Sequence, residues 1–371
     1  MPLDRLAFMG LRNLVDVDFT PGTGVNLISG ANGSGKTGLL EGIHILGMGR
    51  SFRTHQLKHA ISHSMEALVL HGRLTGDPAV PIGLRRARNT SDLEIRMAGE
   101  RVTRVSHLVE SLPLQLINPD AFRLLEGSPT TRREFLDWGV FHVEHDFLTT
   151  WKRVRRALKH RNALLRHDRM DHRSLDAWDH ELVCWGEKLD KLRDDYMQAL
   201  SPVFAETLKE LLPIDDLSLR YYRGWDRQRS LSEVLSQSRD TDRSMGFTQQ
   251  GPQRADLRIR LKRRPAVEVL SRGQQKLVVS ALKLAQGRLL ENATGRTCVY
   301  LIDDLAAELD AYHRQAFCRW LEVMECQVFI TSVDQDALPG LWRSDTPVDM
   351  FHVKQGRLAA SPHGMQDFMT E

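Results

Sequence analysis

Eight consecutive residues, Gly30-Ala31-Asn32-Gly33-Ser34-Gly35-Lys36-Thr37, fit the pattern GxxxxGK[ST]. Each residue type has a reason to be there. The glycines let backbone N–H groups wrap around phosphates. Lys36 adds a cation at the β/γ oxygens, and Thr37 offers a hydroxyl to Mg²⁺. Such a loop binds a nucleoside triphosphate, most simply ATP. Alone, it could belong to a kinase, a GTPase or a transporter subunit.

Two further stretches narrow the class. The apolar run Val299-Tyr300-Leu301-Ile302 ends in Asp303-Asp304. An acid at that strand end can hold Mg²⁺ opposite Thr37, and Asp304 stands where a carboxylate could orient water. Between the loop and this run lies Leu270-Ser271-Arg272-Gly273-Gln274-Gln275-Lys276. A serine cap followed by glycine exposes backbone N–H groups to an anion at a helix start. By itself this S-x-G-Q element could be a plain N-cap. Its place between the loop and the acidic strand is what gives it weight.

The elements that must position these residues follow from periodicity. Val25-Asn26-Leu27-Ile28-Ser29 is a short apolar strand running into the loop, and Leu39-Leu40 with Ile43 to Leu46 predicts a helix after it. Residues 66–118 alternate like strands. Ser128 before Pro129 reads as a helix start. Over residues 130–212 apolar side chains recur every three or four positions, and the break around His167–Arg173 predicts an antiparallel helix hairpin. Further on, helices are expected over about Gly273–Leu290 and Ala311–Met324, with strands over Cys298–Ile302 and Gln327–Thr331. The polar stretch Arg227 to Arg243 reads as exposed helix or loop.

At 371 residues the chain exceeds one ordinary core, and its 41% hydrophobic and 27% charged composition is that of a globular protein. No apolar run is long enough to span a membrane. Met1-Pro2-Leu3-Asp4-Arg5 does not begin a secretion signal, so a cytoplasmic protein is expected. Cys184, Cys298, Cys318 and Cys326 show no paired or zinc-like spacing. Net charge is only +3, but the cations cluster. Nine Lys or Arg lie between Lys152 and Arg173 against two Asp, and smaller groups occur at Arg85-Arg86-Arg88 and from Arg258 to Arg264. Solvated faces are the bland reading. Three clusters on one chain suit a polyanion such as DNA.

The order of the loop, the S-x-G-Q element, the acidic strand and then Glu308-Leu309-Asp310 resembles the ABC-type ATPase heads of the SMC and Rad50 class. More narrowly, the chain resembles the RecF family of bacterial recombination mediators. That likeness rests on Leu11-Arg12-Asn13, Gly49-Arg50-Ser51-Phe52-Arg53, Leu116-Ile117-Asn118-Pro119-Asp120, Gly127-Ser128-Pro129 with Arg132-Arg133 and Phe135-Leu136-Asp137, and Gly251-Pro252-Gln253-Arg254-Ala255-Asp256-Leu257. The resemblance implies an α/β ABC-type head with a mixed sheet plus a helical second domain. The corresponding division is ATPase residues 1–125, a helical domain with a basic arm at 126–245, and ATPase residues 246–371. It implies Mg²⁺–ATP as cofactor and a homodimer closed around two ATP molecules. DNA binding at single-strand/duplex junctions in gaps is implied too, with RecO and RecR as partners, in gap repair, recombinase loading, replication recovery and SOS induction.

Residue by residue, Gly30 to Thr37 carry over as the ATP loop and Asp303 as the Mg²⁺-side acid. Ser271, Gly273 and Gln274 carry over as the signature acting on a second subunit's nucleotide. Asp310 matches the D-loop aspartate, and Gln115 is the candidate Q-loop glutamine. Three positions depart from the pattern. Asp304 stands where most ABC heads have Glu. Val333 occupies the switch-histidine position, and Gln253 replaces the commoner His of Gly-Pro-His-Arg. The first two predict slow hydrolysis, a weak DNA-stimulated ATPase. A nucleotide-gated scaffold with negligible turnover is the alternative. A transporter subunit would carry a signature closer to LSGGQ, and a small-molecule kinase needs no such element.

Overall fold

The computed structural model describes residues 2–90, 92–167, 171–333 and 339–360. The chain divides into two compact units, residues 1–121 with 295–371 and residues 122–294.

The first unit is α/β with two six-stranded sheets. In the sheet that carries the motifs the order is Arg357–Ala360, Val348–Lys354, Val25–Ser29, Val328–Ser332, Val299–Ile302 and Leu114–Ile117. All neighbours are parallel except the edge pair Val348–Lys354 and Arg357–Ala360. Parallel strands are covered on both faces, which is why Val25–Ser29, Val299–Ile302 and Val328–Ser332 are buried at every position. The second sheet is antiparallel, in the order Val17–Phe19, Leu3–Met9, Ala67–Leu74, Val80–Ala87, Leu93–Met97, Glu100–Val102. Helix Lys36–Met48 is buried from Gly38 through Gly47, the mark of a helix enclosed on all sides. Its Leu39, Leu40, Ile43 and Leu46 share one core with Leu6, Phe8 and Leu70 of the antiparallel sheet and with Leu301 and Phe329 of the parallel one.

The second unit is mostly helical. Ser128 precedes helix Pro129–Val143 with proline in its first turn, as the sequence predicts. Helices Phe147–Leu165 and His172–Leu211 form the expected hairpin and pack on each other, with Val154, Ala157 and Leu165 buried on one and Leu175, Leu182 and Leu189 on the other. Part of its predicted turn, including Asp168 and Arg169 of the basic run, lies outside the described residues. The polar stretch becomes two short helices, Leu231–Gln237 and Arg239–Met245.

The boundaries differ from those expected. Residues 246–294 belong to the second unit, not to the ATPase unit. Strand Asp256–Leu261 pairs along its whole length with Leu217–Tyr222. Helix Arg272–Thr294 packs on His172–Leu211, and its Gln286 Nε2 donates to the Phe135 carbonyl at 2.9 Å. The signature element therefore sits on the helical unit.

Candidate functional site: a phosphate-binding loop beside a strand-end acid

Strands Val25–Ser29, Val328–Ser332 and Val299–Ile302 are adjacent and parallel, so their carboxyl ends meet at one edge of the sheet. In open α/β sheets ligands bind beyond such ends. Each strand delivers one piece here. The first runs into the Gly30 loop, the second ends in Thr331-Ser332, and the third ends in Asp303-Asp304.

The loop is a strained backbone held by its surroundings. Gly30 has φ 153°, and a Cβ there would lie 2.3 Å from the Val353 carbonyl oxygen, so only glycine fits. Asn13 Nδ2 donates to the Gly33 carbonyl at 2.9 Å, and the Gly356 N–H donates to the Ser34 carbonyl at 2.8 Å. Gly33 faces open space. Lys36 Nζ donates to the carbonyls of Gly30 at 2.6 Å and Ala31 at 3.1 Å. Burial pushes its pKa below the ordinary lysine value, while Asp304 and Asp303 pull the other way.

Opposite the lysine, Thr37 Oγ1 donates to Asp303 Oδ1 at 3.0 Å, and Thr331 Oγ1 donates to the same oxygen at 2.8 Å. Thr331 Oγ1 also accepts from the Asp304 N–H at 2.9 Å. Asp304 turns the chain out of the strand with φ 54° and ψ 54°, a left-handed conformation that Asp and Asn tolerate better than longer side chains. Val333, 44% exposed, brings no donor to the strand end beside it. These residues fit Mg²⁺–triphosphate: Thr37 and Asp303 offer adjacent oxygens to a small hard cation. Ser34 Oγ is buried with no hydrogen-bond partner among the described residues, as an atom aimed at a phosphate oxygen would be.

The other residues singled out in the sequence have these places. Gln115 lies within the edge strand beside Tyr300 and is 1% exposed, so it offers a ligand no surface as it stands. Asp310 caps helix Ala311–Val323, its Oδ1 accepting from the His313 N–H at 3.0 Å. That N–H bond, with the His313 side chain, holds its carboxyl below the usual range. On the second unit Ser271 and Gln274 form a reciprocal cap. The Gln274 N–H donates to Ser271 Oγ at 3.3 Å, and the Ser271 N–H donates to Gln274 Oε1 at 3.0 Å. Gly273 between them meets nothing within 4 Å. The glycine thus leaves the helix start open to an approaching surface.

Sequence reasoning missed Thr331, Asn13 and Glu41. Glu41 is fully buried on the loop's helix and accepts a bidentate pair from Arg12 at 2.8 and 2.9 Å, plus Ser51 Oγ at 2.5 Å and Arg53 at 3.4 Å. A carboxylate in the middle of the apolar run Leu39-Leu40 to Ile43 was the available signal.

A family profile described as RecF/RecN/SMC N terminal domain matches residues 2–359. The DNA replication and repair protein RecF of Chromohalobacter salexigens is 69% identical over 358 residues, covering 96% of this chain and 99% of that one. The chain belongs to the RecF family. The corresponding Azotobacter vinelandii protein is 54% identical over 359 residues, with 96% and 98% coverage. Among solved structures, the recombination mediator protein RecF-ATP of the RecFOR pathway has the same fold at a TM-score of 0.85, with 24% identity and 97% of both chains covered. An SMC head bound to the C-winged helix domain of ScpA follows at a TM-score of 0.60, 14% identity and 98% coverage of both chains. Residues of the RecF-family motifs also make bidentate pairs within the second unit: Arg132 with Asp256 of another such motif, and Asp137 with Arg193 of helix His172–Leu211.

The basic clusters fare unequally. Arg85 pairs with Glu94, while Arg86 and Arg88 donate to backbone carbonyls. Arg161, in the middle of the hairpin's basic run, is fully buried between Asp179 at 2.6 Å and Asp242 at 2.7 Å. Arg161 is thus a buried ion-pair residue, and Arg85, Arg86 and Arg88 already have partners within the protein. Among the described residues no helix is long and apolar enough to cross a membrane.

Proposed function

We propose that this RecF-family chain is an ATP-dependent DNA-binding protein of recombinational gap repair. The arrangement that carries the reading is the meeting of Lys36, Thr37, Asp303 and Thr331 at three adjacent strand ends. Gly30 to Thr37 would cradle the phosphates, with Thr37 and Asp303 holding the Mg²⁺ that neutralises phosphate charge. Ser271, Gly273 and Gln274 of a second copy would complete the site across a homodimer, with Asp310 lining the same junction. Gln115 is retained as the Q-loop candidate. Two interfacial ATP molecules would favour the closed dimer because they bind that state better.

The names of the relatives support a role in DNA replication and repair, and the solved relative from the RecFOR pathway supports a mediator role beside RecO and RecR. On this reading the dimer grips single-strand/duplex junctions at gaps, aids recombinase loading and replication recovery, feeds SOS induction, and acts in the cytoplasm. Binding to gapped, duplex and single-stranded oligonucleotides, with and without ATP across a salt series, tests it. A salt-independent affinity would contradict a phosphate-directed grip.

A second reading has its own support. Asp304 is shorter than the usual glutamate and Val333 cannot sense a γ-phosphate. A nucleotide-gated scaffold with negligible hydrolysis would need neither. Steady-state turnover with and without gapped DNA separates the two.

A further inference from the structure

On the small sheet of the second unit two arginines face each other across neighbouring strands. Arg220 and Arg258 are directly opposite in register, and both are exposed. Like charges so placed destabilise a strand pair. Among the described residues the Arg220 side chain has neither a hydrogen bond nor an ion pair, and Arg258 lies over the Tyr222 ring at 4.2 Å. Arg260, two residues on and therefore on the same face, uses Nη2 on the Arg263 carbonyl at 2.7 Å. Arg227 uses Nη2 on the Tyr221 carbonyl at 2.8 Å. Both keep their other donors.

These four guanidiniums and Tyr222 line a cleft of about 490 Å³ against helix His172–Leu211. Asp194 is its one lining carboxylate, and it already accepts from Gln198 at 2.8 Å. Exposed Lys262 and Arg263 extend the positive surface around the adjoining hairpin. Strand geometry sets Arg258 and Arg260 about 7 Å apart at the backbone, so they meet separate anionic groups rather than one. The open, exposed setting suits an extended polyanion better than an enclosed small ligand.

We propose that this cleft holds the phosphodiester backbone of DNA. The proposal rests on the DNA-binding reading above and adds the place. Guanidinium forks pair with phosphate oxygens bidentately. Such pairs position a duplex or single strand without reading its sequence. The repulsion between Arg220 and Arg258 is then relieved when DNA is bound.

The test is an Arg220→Gln/Arg258→Gln double variant of the full chain, with anisotropy titrations of duplex and single-stranded oligonucleotides across a salt series. The slope of log affinity against log salt becomes shallower by about 1 for each phosphate no longer neutralised, hence by about 2. ATP binding stays as in the parent. The melting temperature of the DNA-free protein holds or rises because a like-charge pair is removed. An unchanged slope in a folded variant, with the parent still binding DNA, overturns the cleft and leaves the DNA-binding reading intact. So does loss of the slope in Arg153→Gln/Arg156→Gln on the hairpin instead. A double variant that loses affinity for poly-glutamate but keeps DNA assigns the cleft to an acidic protein and overturns the proposal. A parent protein that binds no DNA sinks both readings together.

Discussion

Thr331 donates a 2.8 Å hydrogen bond to Asp303 and with the same hydroxyl receives the N–H of Asp304, the residue that follows the acid. The side chain is fully buried. One threonine thereby fixes both the rotamer of the acid and the start of the turn after it. Replacing it with valine keeps the shape and removes both bonds. Thr331→Val is expected to cost about 1–3 kcal/mol of stability and to weaken nucleotide binding more with Mg²⁺ than without. Thermal melts and nucleotide titrations with and without the ion check this. Identical Mg²⁺ dependence in the two proteins would show that Asp303 needs no such support.

On the proposed reading, Asp304 would orient the attacking water. Asp304→Asn preserves the left-handed turn, since asparagine also tolerates it. Nucleotide binding should persist while turnover falls by about 10²–10⁴. Single-turnover hydrolysis is the measurement. If the parent is already as slow as the variant, the scaffold reading gains.

Ser271 serves its own helix and, on the proposed reading, a second copy's nucleotide. Two substitutions separate these roles. Ser271→Arg removes the cap, worth about 1 kcal/mol, and blocks closure. Ser271→Asp keeps the cap but sets a negative charge against phosphate. Both should sediment as monomers with ATP. A Ser271→Asp protein that still dimerises on ATP would disprove the composite site.

Lys36 is held below the ordinary lysine pKa, chiefly by burial. Phosphates favour its charged form, so nucleotide binding raises the pKa and takes up a proton. The uptake is absent where Lys36 is already protonated in the free protein and grows as pH climbs toward the ordinary lysine range. Calorimetry in two buffers of different ionisation enthalpy reads it directly. Lys36→Arg should bind without uptake, because arginine stays protonated throughout. Uptake equal in the two proteins would assign the proton to another group.

What could be read from the sequence was local. The strand into Gly30, the helix out of Thr37, the Ser128-Pro129 start and the acidic end of Val299–Ile302 each declare themselves within about ten residues. What could not be read was settled by partners far along the chain. Thr331 matters because it meets Asp303, and Asn13 because it meets Gly33. Arg161 looks like one more solvated cation until Asp179 and Asp242 close around it. The second unit extends to Thr294 because Asp256–Leu261 finds its partner strand across a stretch of helices. Neither composition nor period carries that pairing.

Glu41 joins Arg12, Ser51 and Arg53 on one buried carboxylate. The four positions are therefore energetically coupled. A lineage that loses the acid leaves Arg12 without its carboxylate, and one that loses Arg12 leaves the buried acid without its bidentate partner, so each single step passes through a less stable intermediate. Change at these sites should arrive in concert or not at all, and the segment before the loop and the segment after its helix are bound to a shared history.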